Sequence, residues 1–313
     1  MQEERQYQVL ERTEKKTVLK IENETGDAVF TAYEVFPGVE LVFDAIHINK
    51  CHLGMGNSGN FIVIQHCKEG RMENAYGDEY FYLSAGDLAV IKRHDFNLEY
   101  EFPLRHYHGI AIAIDVDKAP KCFSCFIKDV DIRPSTIADR LCGEKGCYIA
   151  RSEQYVEHIF SELYSVPDSI RDGYFKVKIL ELLLVLSGIQ TEAKEESGHR
   201  LHSEQVRLAK EIKAFLSENM DRRITITELA EQFYVSESQI KNVFKAVYGV
   251  PVFSFMRVQK MQAAALQLIH SDRPITDIAL GVGYDNASKF SSAFKEIMGD
   301  TPVQYRKDHR QYN

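Results

Sequence analysis

The sequence predicts an α+β multidomain chain, with an N-terminal β-barrel or sandwich, a helical hairpin behind it and a C-terminal all-α domain with two helix-turn-helix units. Three observations carry that expectation. Residues 16–116 are a succession of short β-branched and aromatic runs, the apolar period changes near Ser152, and the rear third contains an internal repeat. At 313 residues the chain also exceeds what one hydrophobic core usually holds.

Behind a polar tail, the runs at 18–21, 28–36, 41–48, 61–66, 80–83, 87–91, 98–102 and 110–114 read as strands. Turn formers separate them, among them Thr25-Gly26-Asp27, the glycine-rich stretch 54–59 and Ala85-Gly86-Asp87. Strands at this spacing favour a sandwich or small barrel over 1–150. Residues 152–164 are amphipathic, with Val156, Ile159, Phe160 and Leu163 on one stripe, and 170–189 form a second helix. Pro167-Asp168-Ser169 breaks the chain between them, giving an antiparallel hairpin over 151–190. The second helix has more leucines than one neighbour covers, so part of it is expected to meet a second subunit in a homodimer; the alternative is that all of it packs on the strands. Residues 191–203 are polar and aperiodic and read as a linker to a domain over 204–308.

Composition narrows the function. With 44% hydrophobic and 27% charged residues, wholesale disorder is excluded. The opening residues lack a secretory pattern, and the apolar run 179–189 contains Glu181 and is too short for a bilayer, so a soluble cytoplasmic protein with no membrane partner is expected. Six cysteines then read as reduced thiols. A zinc or redox site from Cys122, Cys125, Cys142 and Cys147 is the alternative, and the flanking Phe123 and Phe126 favour buried thiols instead. The net charge of −8 is unevenly spread: from Glu204 onward 15 Lys and Arg face 13 Asp and Glu. The front therefore repels nucleic acid while the rear, with its basic side chains on one face, attracts it.

The repeat is the strongest signal. Ile226-Thr227-Glu228-Leu229-Ala230 recurs as Ile275-Thr276-Asp277-Ile278-Ala279, and Ile240, Val243-Phe244-Lys245, Gly249 and Pro251 recur as Phe290, Ala293-Phe294-Lys295, Gly299 and Pro302. Each copy meets the needs of a helix-turn-helix: Ala230 and Ala279 are small where helices cross, Val235 and Tyr284 plug the turn, and Ile240 and Phe290 anchor the second helix. Thr225 or Thr227, Ser236 and Asn286 are candidate N-caps, and Gly249 and Gly299 candidate C-caps. Residues 252–269 contain no breaker and read as one connecting helix, able to present two recognition helices to successive major grooves. A helical bundle for protein contacts would not require the small, plug, anchor and cap positions twice over.

Residues 206–308 resemble the DNA-binding domain of the AraC/XylS family. The resemblance is carried by Ile278-Ala279, Gly281-Val282-Gly283-Tyr284, Phe290-Ser291-Ser292-Ala293-Phe294-Lys295, Gly299 and Thr301-Pro302-Val303-Gln304-Tyr305-Arg306. Tyr234, where many members have a smaller residue, and Lys260, where arginine is common, depart from it. Candidate DNA-contacting residues are Ser238, Lys241, Asn242 and Lys245 in the first recognition helix and Ser288, Lys289, Ser291, Ser292 and Lys295 in the second. Lys241 and Lys289 suit guanine edges, Asn242 suits adenine, and Lys245 and Lys295 suit phosphate.

The resemblance implies a cupin-like N-terminal domain that binds a small-molecule effector, activation of transcription rather than repression, and RNA polymerase as a partner beside double-stranded DNA. Arg71, His66, His106 and His108 are the candidate effector-binding residues. An H-x-H pair such as His106 and His108 places both imidazoles on one strand face and, with a third donor such as His47 or His66, has metal-ligand chemistry. The metal-binding cupin spacing is absent, however, so no metal, cofactor or catalytic residue is expected, and the chain is read as a non-enzyme. A cupin-type metal enzyme fused to a DNA-binding module, and a constitutive architectural DNA binder, are the competing readings.

Overall fold

The computed structural model describes residues 7–53, 58–76, 79–95, 98–123, 130–189 and 200–310. The chain divides into two units, residues 1–200 and 201–313.

The front unit is an antiparallel sheet system of β1 (Tyr7–Arg12), β2 (Lys16–Asn23), β3 (Gly26–Phe36), β4 (Val39–Ile46), β5 (Lys50–Leu53), β6 (Ser58–Tyr76), β7 (Glu79–Ser84), β8 (Asp87–Asp95), β9 (Leu98–Glu101), β10 (Tyr107–Asp115) and β11 (Cys147–Arg151). Neighbours run β1-β2-β3-β4-β10-β6, and the 19-residue β6 then serves two layers. Its first half pairs β8, which carries β11, and its second half pairs β7 and β9. Three helices complete the unit: α1 (Pro134–Cys142), α2 (Gln154–Leu163) and α3 (Arg171–Gly188).

Side-chain alternation gives this sheet two apolar faces. Leu41, Ile64, Val90, Ile110 and Ile112 pack against Val156, Ile159, Phe160, Phe175, Ile179 and Leu182 of the helices. The opposite face gathers Phe30, Val42, Ile46, Phe81, Leu83, Tyr100 and Tyr107 into a second core. The hairpin is tied by Lys178 of α3, which donates to Glu162 of α2 and, at 2.8 Å, to Glu181. Burial disfavours the Lys178 charge, but the two carboxylates outweigh it and its pKa is raised to about 12. The leucine-rich α3 buries Leu182, Leu183 and Leu186 while Val177 and Leu184 stay exposed.

Four elements differ from the sequence expectation. The polar tail contains β1, an edge strand with every side chain exposed and so without apolar alternation. The short β5 and β11 and the helix α1, with Pro134 in its first turn, were not anticipated; each is too brief for a periodic signal. Of the predicted glycine-rich turn only 58–59 are described, and they already belong to β6; of the predicted linker only 200–203 are described, and there Arg200–His202 form a short strand and Ser203 begins a helix. Cys125 and Phe126 lie outside the described residues. Cys142 and Cys147 are buried free thiols, and burial pushes the Cys142 thiol up to about 12.

The rear unit holds α4 (Ser203–Glu218), α5 (Ile226–Gln232), α6 (Glu237–Tyr248), α7 (Val252–His270), α8 (Ile275–Gly281), α9 (Ala287–Met298) and α10 (Pro302–Arg310). Among the described residues no helix is long and apolar enough to cross a membrane.

One group in the front unit sets a pH dependence. Asp44 stands between Val42 and Ile46, which point into the inner core, and desolvation raises its carboxyl from 3.8 to about 8. Between those values the folded chain holds a proton that the unfolded chain has released, so stability falls as pH rises through that window. Asp44→Asn removes this dependence. Denaturant titrations on either side of the window should therefore show the variant gaining on wild type at the higher pH, and an unchanging difference between the two would refute the assignment.

Candidate nucleic-acid interface

Each half of the rear unit builds the same corner from local chemistry. Thr225 caps α5, accepting from the backbone N–H of Glu228 at 3.2 Å while the Glu228 carboxylate accepts from the Thr225 N–H at 2.7 Å. Of the two predicted caps, Thr225 holds the position, and Thr227 instead donates to Glu237 at 2.7 Å. Ser236 caps α6 and Asn286 caps α9, and both helices end at glycines of positive φ, Gly249 and Gly299. Ile240, Val243, Phe244 and Val247 of α6 are buried, as are Phe290, Ala293 and Phe294 of α9. Fixing those stripes inward turns the opposite stripes to solvent.

The exposed face of α6 presents Ser238, Lys241, Asn242 and Lys245. Lys241 sits 3.4 Å from Glu237, one turn earlier, in an exposed ion pair that competes only weakly with a new partner. The Ser238 hydroxyl lies 3.0 Å from that of Ser236. On α9, Ser288, Lys289, Ser292 and Lys295 are exposed and Ser291 is half-buried. Ser292 donates to the Ser288 carbonyl at 3.0 Å, which leaves its oxygen free to accept but commits its hydrogen. Gln239 was missed by the sequence reading. It is exposed beside Ser238 near the start of α6, and its side-chain amide has the same bidentate chemistry toward adenine as Asn242.

The connector α7 joins the two corners. Its Lys260 ammonium donates to the Arg222 carbonyl at 3.3 Å. A Cβ added to Gly283, at φ +75°, would meet that ammonium at 2.7 Å, so the turn of the second corner closes directly over Lys260. Burial lowers the Lys260 pKa. Arg257 on α7 reaches the Glu296 carboxylate of α9, with Nη1 to Oε1 at 3.1 Å. In the first corner the residue equivalent to Gly283 is Tyr234, which holds φ +55° and is 95% exposed. The departure noted in the sequence thus places a bulky side chain in a left-handed turn position, with its ring in solvent.

The candidate effector residues of the front unit fall into separate environments. Arg71 is buried on β6, donates to Ser84 and lies over the Tyr82 ring, 4.9 Å from its centroid. His66 stacks on Phe160 with centroids 4.3 Å apart and meets Glu157 at 3.1 Å; burial lowers its pKa against the pull of that carboxylate. His106 and His108 instead lie at the solvent edge beside Glu69 and His47. Desolvation, and then the adjacent His106 and His47, lower the His108 pKa.

Comparison with known proteins bears on the rear unit. A family model described as a helix-turn-helix domain matches residues 229–308. An uncharacterized HTH-type transcriptional regulator of Staphylococcus aureus is 38% identical over 85 residues, 27% of this chain and 11% of that protein. The melibiose operon regulatory protein of Escherichia coli is 30% identical over 93 residues, 30% of this chain and 31% of that one. The chain thus spans only a minor part of these relatives. Among solved structures, the C-terminal domain of AraT, a response regulator from Geobacillus stearothermophilus, is 29% identical, covering 34% of this chain and 88% of that one at a TM-score of 0.33. Apo ToxT from Vibrio cholerae covers 87% of this chain and 97% of that one, at 9% identity and a TM-score of 0.32.

Thr225→Ala removes one half of the capping box and should destabilise the rear unit by roughly 0.5 to 2 kcal/mol. Urea denaturation of the full chain followed by a probe in the rear unit measures the change, and a variant as stable as wild type would show that the cap contributes nothing.

Proposed function

Because residues 229–308 form an AraC-type helix-turn-helix domain, we propose that this protein is a sequence-specific transcription regulator that reads two adjacent major-groove segments. The observation that carries the reading is the pair of capped helices, α6 and α9, each anchored by a buried apolar stripe and each turning lysines and small polar residues outward. Lys241, Asn242 and Gln239 on α6 have base-reading chemistry; Lys245 and Lys295, nearer the helix ends, suit phosphate. The small serines of α9 leave Lys289 as its principal base-reading side chain.

In this reading the front unit is the sensor, binds a small-molecule effector and favours activation through RNA polymerase. Its inner face supports an effector site. Asp44 faces Gly109 across β4 and β10, Ala32, Val42, Ala111 and Gln65 follow in the next row, and the Tyr107 hydroxyl lies over Gly109. The Gln65 side-chain oxygen and the Tyr107 hydroxyl are buried without hydrogen-bond partners among the described residues. Small side chains beside unsatisfied polar groups suit a ligand that donates a hydrogen bond to the Gln65 oxygen and pairs with the Tyr107 hydroxyl. An effector shifts the regulator only by binding one state more tightly than the other. Val177 and Leu184, exposed one heptad apart on α3, support self-association as a homodimer.

Selection of bound fragments from a random duplex pool tests the DNA-binding reading, with wild type beside the Lys241→Ala, Lys289→Ala double variant. The expected outcome is a motif of two boxes about one helical turn apart, lost in the variant. Lys241→Ala alone should weaken the selected site by about 1 to 3 kcal/mol while sparing random DNA; an equal loss on both assigns Lys241 to phosphate. Recovery of no motif, with weak salt-sensitive binding to every sequence, would refute sequence-specific reading by this chain.

A further inference from the structure

We propose that the front unit carries a solvent-open metal site in which His47, His106 and His108, with Glu69 as a fourth donor, hold one transition-metal cation of the zinc class. One ring nitrogen from each of the three histidines lies within 4.8 Å of the others. The closest approaches are 3.4 Å between the Nδ1 atoms of His106 and His47 and 3.3 Å between the Nε2 atoms of His108 and His47. The Glu69 carboxylate stands 3.4 Å from His106 Nε2 and 3.8 Å from His108 Nδ1. The two short contacts use different nitrogens of His47, and Glu69 meets the other nitrogen of each partner ring, so one cation engages a single nitrogen per histidine from the set that lies within 4.8 Å. Tetrahedral coordination with metal–nitrogen bonds of about 2.0–2.1 Å sets donors about 3.3–3.4 Å apart, and rotation of these partly exposed side chains is what draws the donors in to that spacing.

The fold assembles the donors from three consecutive strands. His47 directly follows β4, His106 and His108 flank the start of β10, and Glu69 lies on β6, in the sheet order β4-β10-β6. Tyr107 points into the inner core, so the imidazoles on either side of it face the opposite way and converge. A bulge between His108 and Gly109, opposite β6, adjusts their aim. Backbone contacts hold the frame: the His47 N–H donates to the Asp27 carbonyl at 2.8 Å, and the His106 carbonyl accepts from the Arg71 N–H at 3.2 Å. Gly70, at φ +85°, permits that approach, because a Cβ there would sit 1.9 Å from the His106 carbonyl oxygen. The sequence left the third donor open between His47 and His66. Tertiary structure selects His47, since His66 is buried against Phe160 and engaged by Glu157.

The chemistry favours a borderline cation. Three imidazoles and one carboxylate match zinc, cobalt, nickel or copper, whereas magnesium and calcium require mostly oxygen donors. Three clustered imidazoles gain little from one another when neutral and repel when protonated, while a shared cation makes their closeness favourable. The site lies outside the inner core, so it is distinct from the effector site proposed above and does not depend on it.

The test uses the full chain without an oligohistidine tag, stripped with a chelator that is then removed, and titrated with cobalt(II). The expected result is one equivalent bound, with visible ligand-field bands, no near-ultraviolet sulfur-to-metal charge transfer, and displacement by zinc(II). His47→Gln and His106→Asn should each weaken binding at least about tenfold. His94→Asn should leave it unchanged, because that exposed imidazole pairs with Asn60 away from the cluster. Metal-free circular dichroism identical to wild type shows that these surface variants fold. Absence of saturable binding, affinity unaffected by the His47 and His106 changes, or a charge-transfer band that assigns the metal to cysteines would each overturn the proposal.

Discussion

Burial of one apolar stripe on each of α6 and α9 is the constraint on which the rear unit depends. Ile240 and Phe290 have no solvent exposure, and Phe244 and Phe294 beside them have none either. Burying a side chain of this size is worth about 1.5–3 kcal/mol, so rotating either helix to present another face would forfeit several such contributions. The lysines, Asn242 and Gln239 therefore owe their direction to the hydrophobic effect acting on the other side of the helix. Capping then fixes where each helix begins, and hence which turn leads.

Lys260 gives the connector a second task. Its ammonium holds the carbonyl of Arg222 and also lies against Gly283, so the segment preceding α5 and the turn preceding α9 meet the same group. A desolvated lysine in that position makes the spacing of the two corners a property of packing.

In the front unit β6 plays the organising part. Nineteen residues long, it lends one half to the layer of β10 and β8 and the other to β7 and β9, so a single strand joins the helix-covered core to the inner core. The inner face is small and polar around Asp44, Gly109 and Gln65, and the outer face carries the histidine cluster at its solvent edge. One sheet thus separates two chemically different groups of side chains.

What the sequence determined by itself was everything governed by local pattern. The duplicated helix-turn-helix, its caps at Ser236 and Asn286, its anchors, the connector and the hairpin helices were all legible, because helical period, capping and chain breaks are encoded within a few residues. So were most strands and, apart from the missed Gln239 and the half-buried Ser291, the outward residues of α6 and α9. Tertiary structure alone decided the rest. Edge strand β1 and the brief β5, β11 and α1 have no periodic signal, and their stability comes from neighbours distant in the chain. The pairing of β4, β10 and β6 brings His47 to His106 and His108 and leaves His66 and Arg71 in other surroundings, although all five were visible as residues. Which side chains share a site in a β-rich unit depends on strand order and register, and a shift of one residue reverses every side chain.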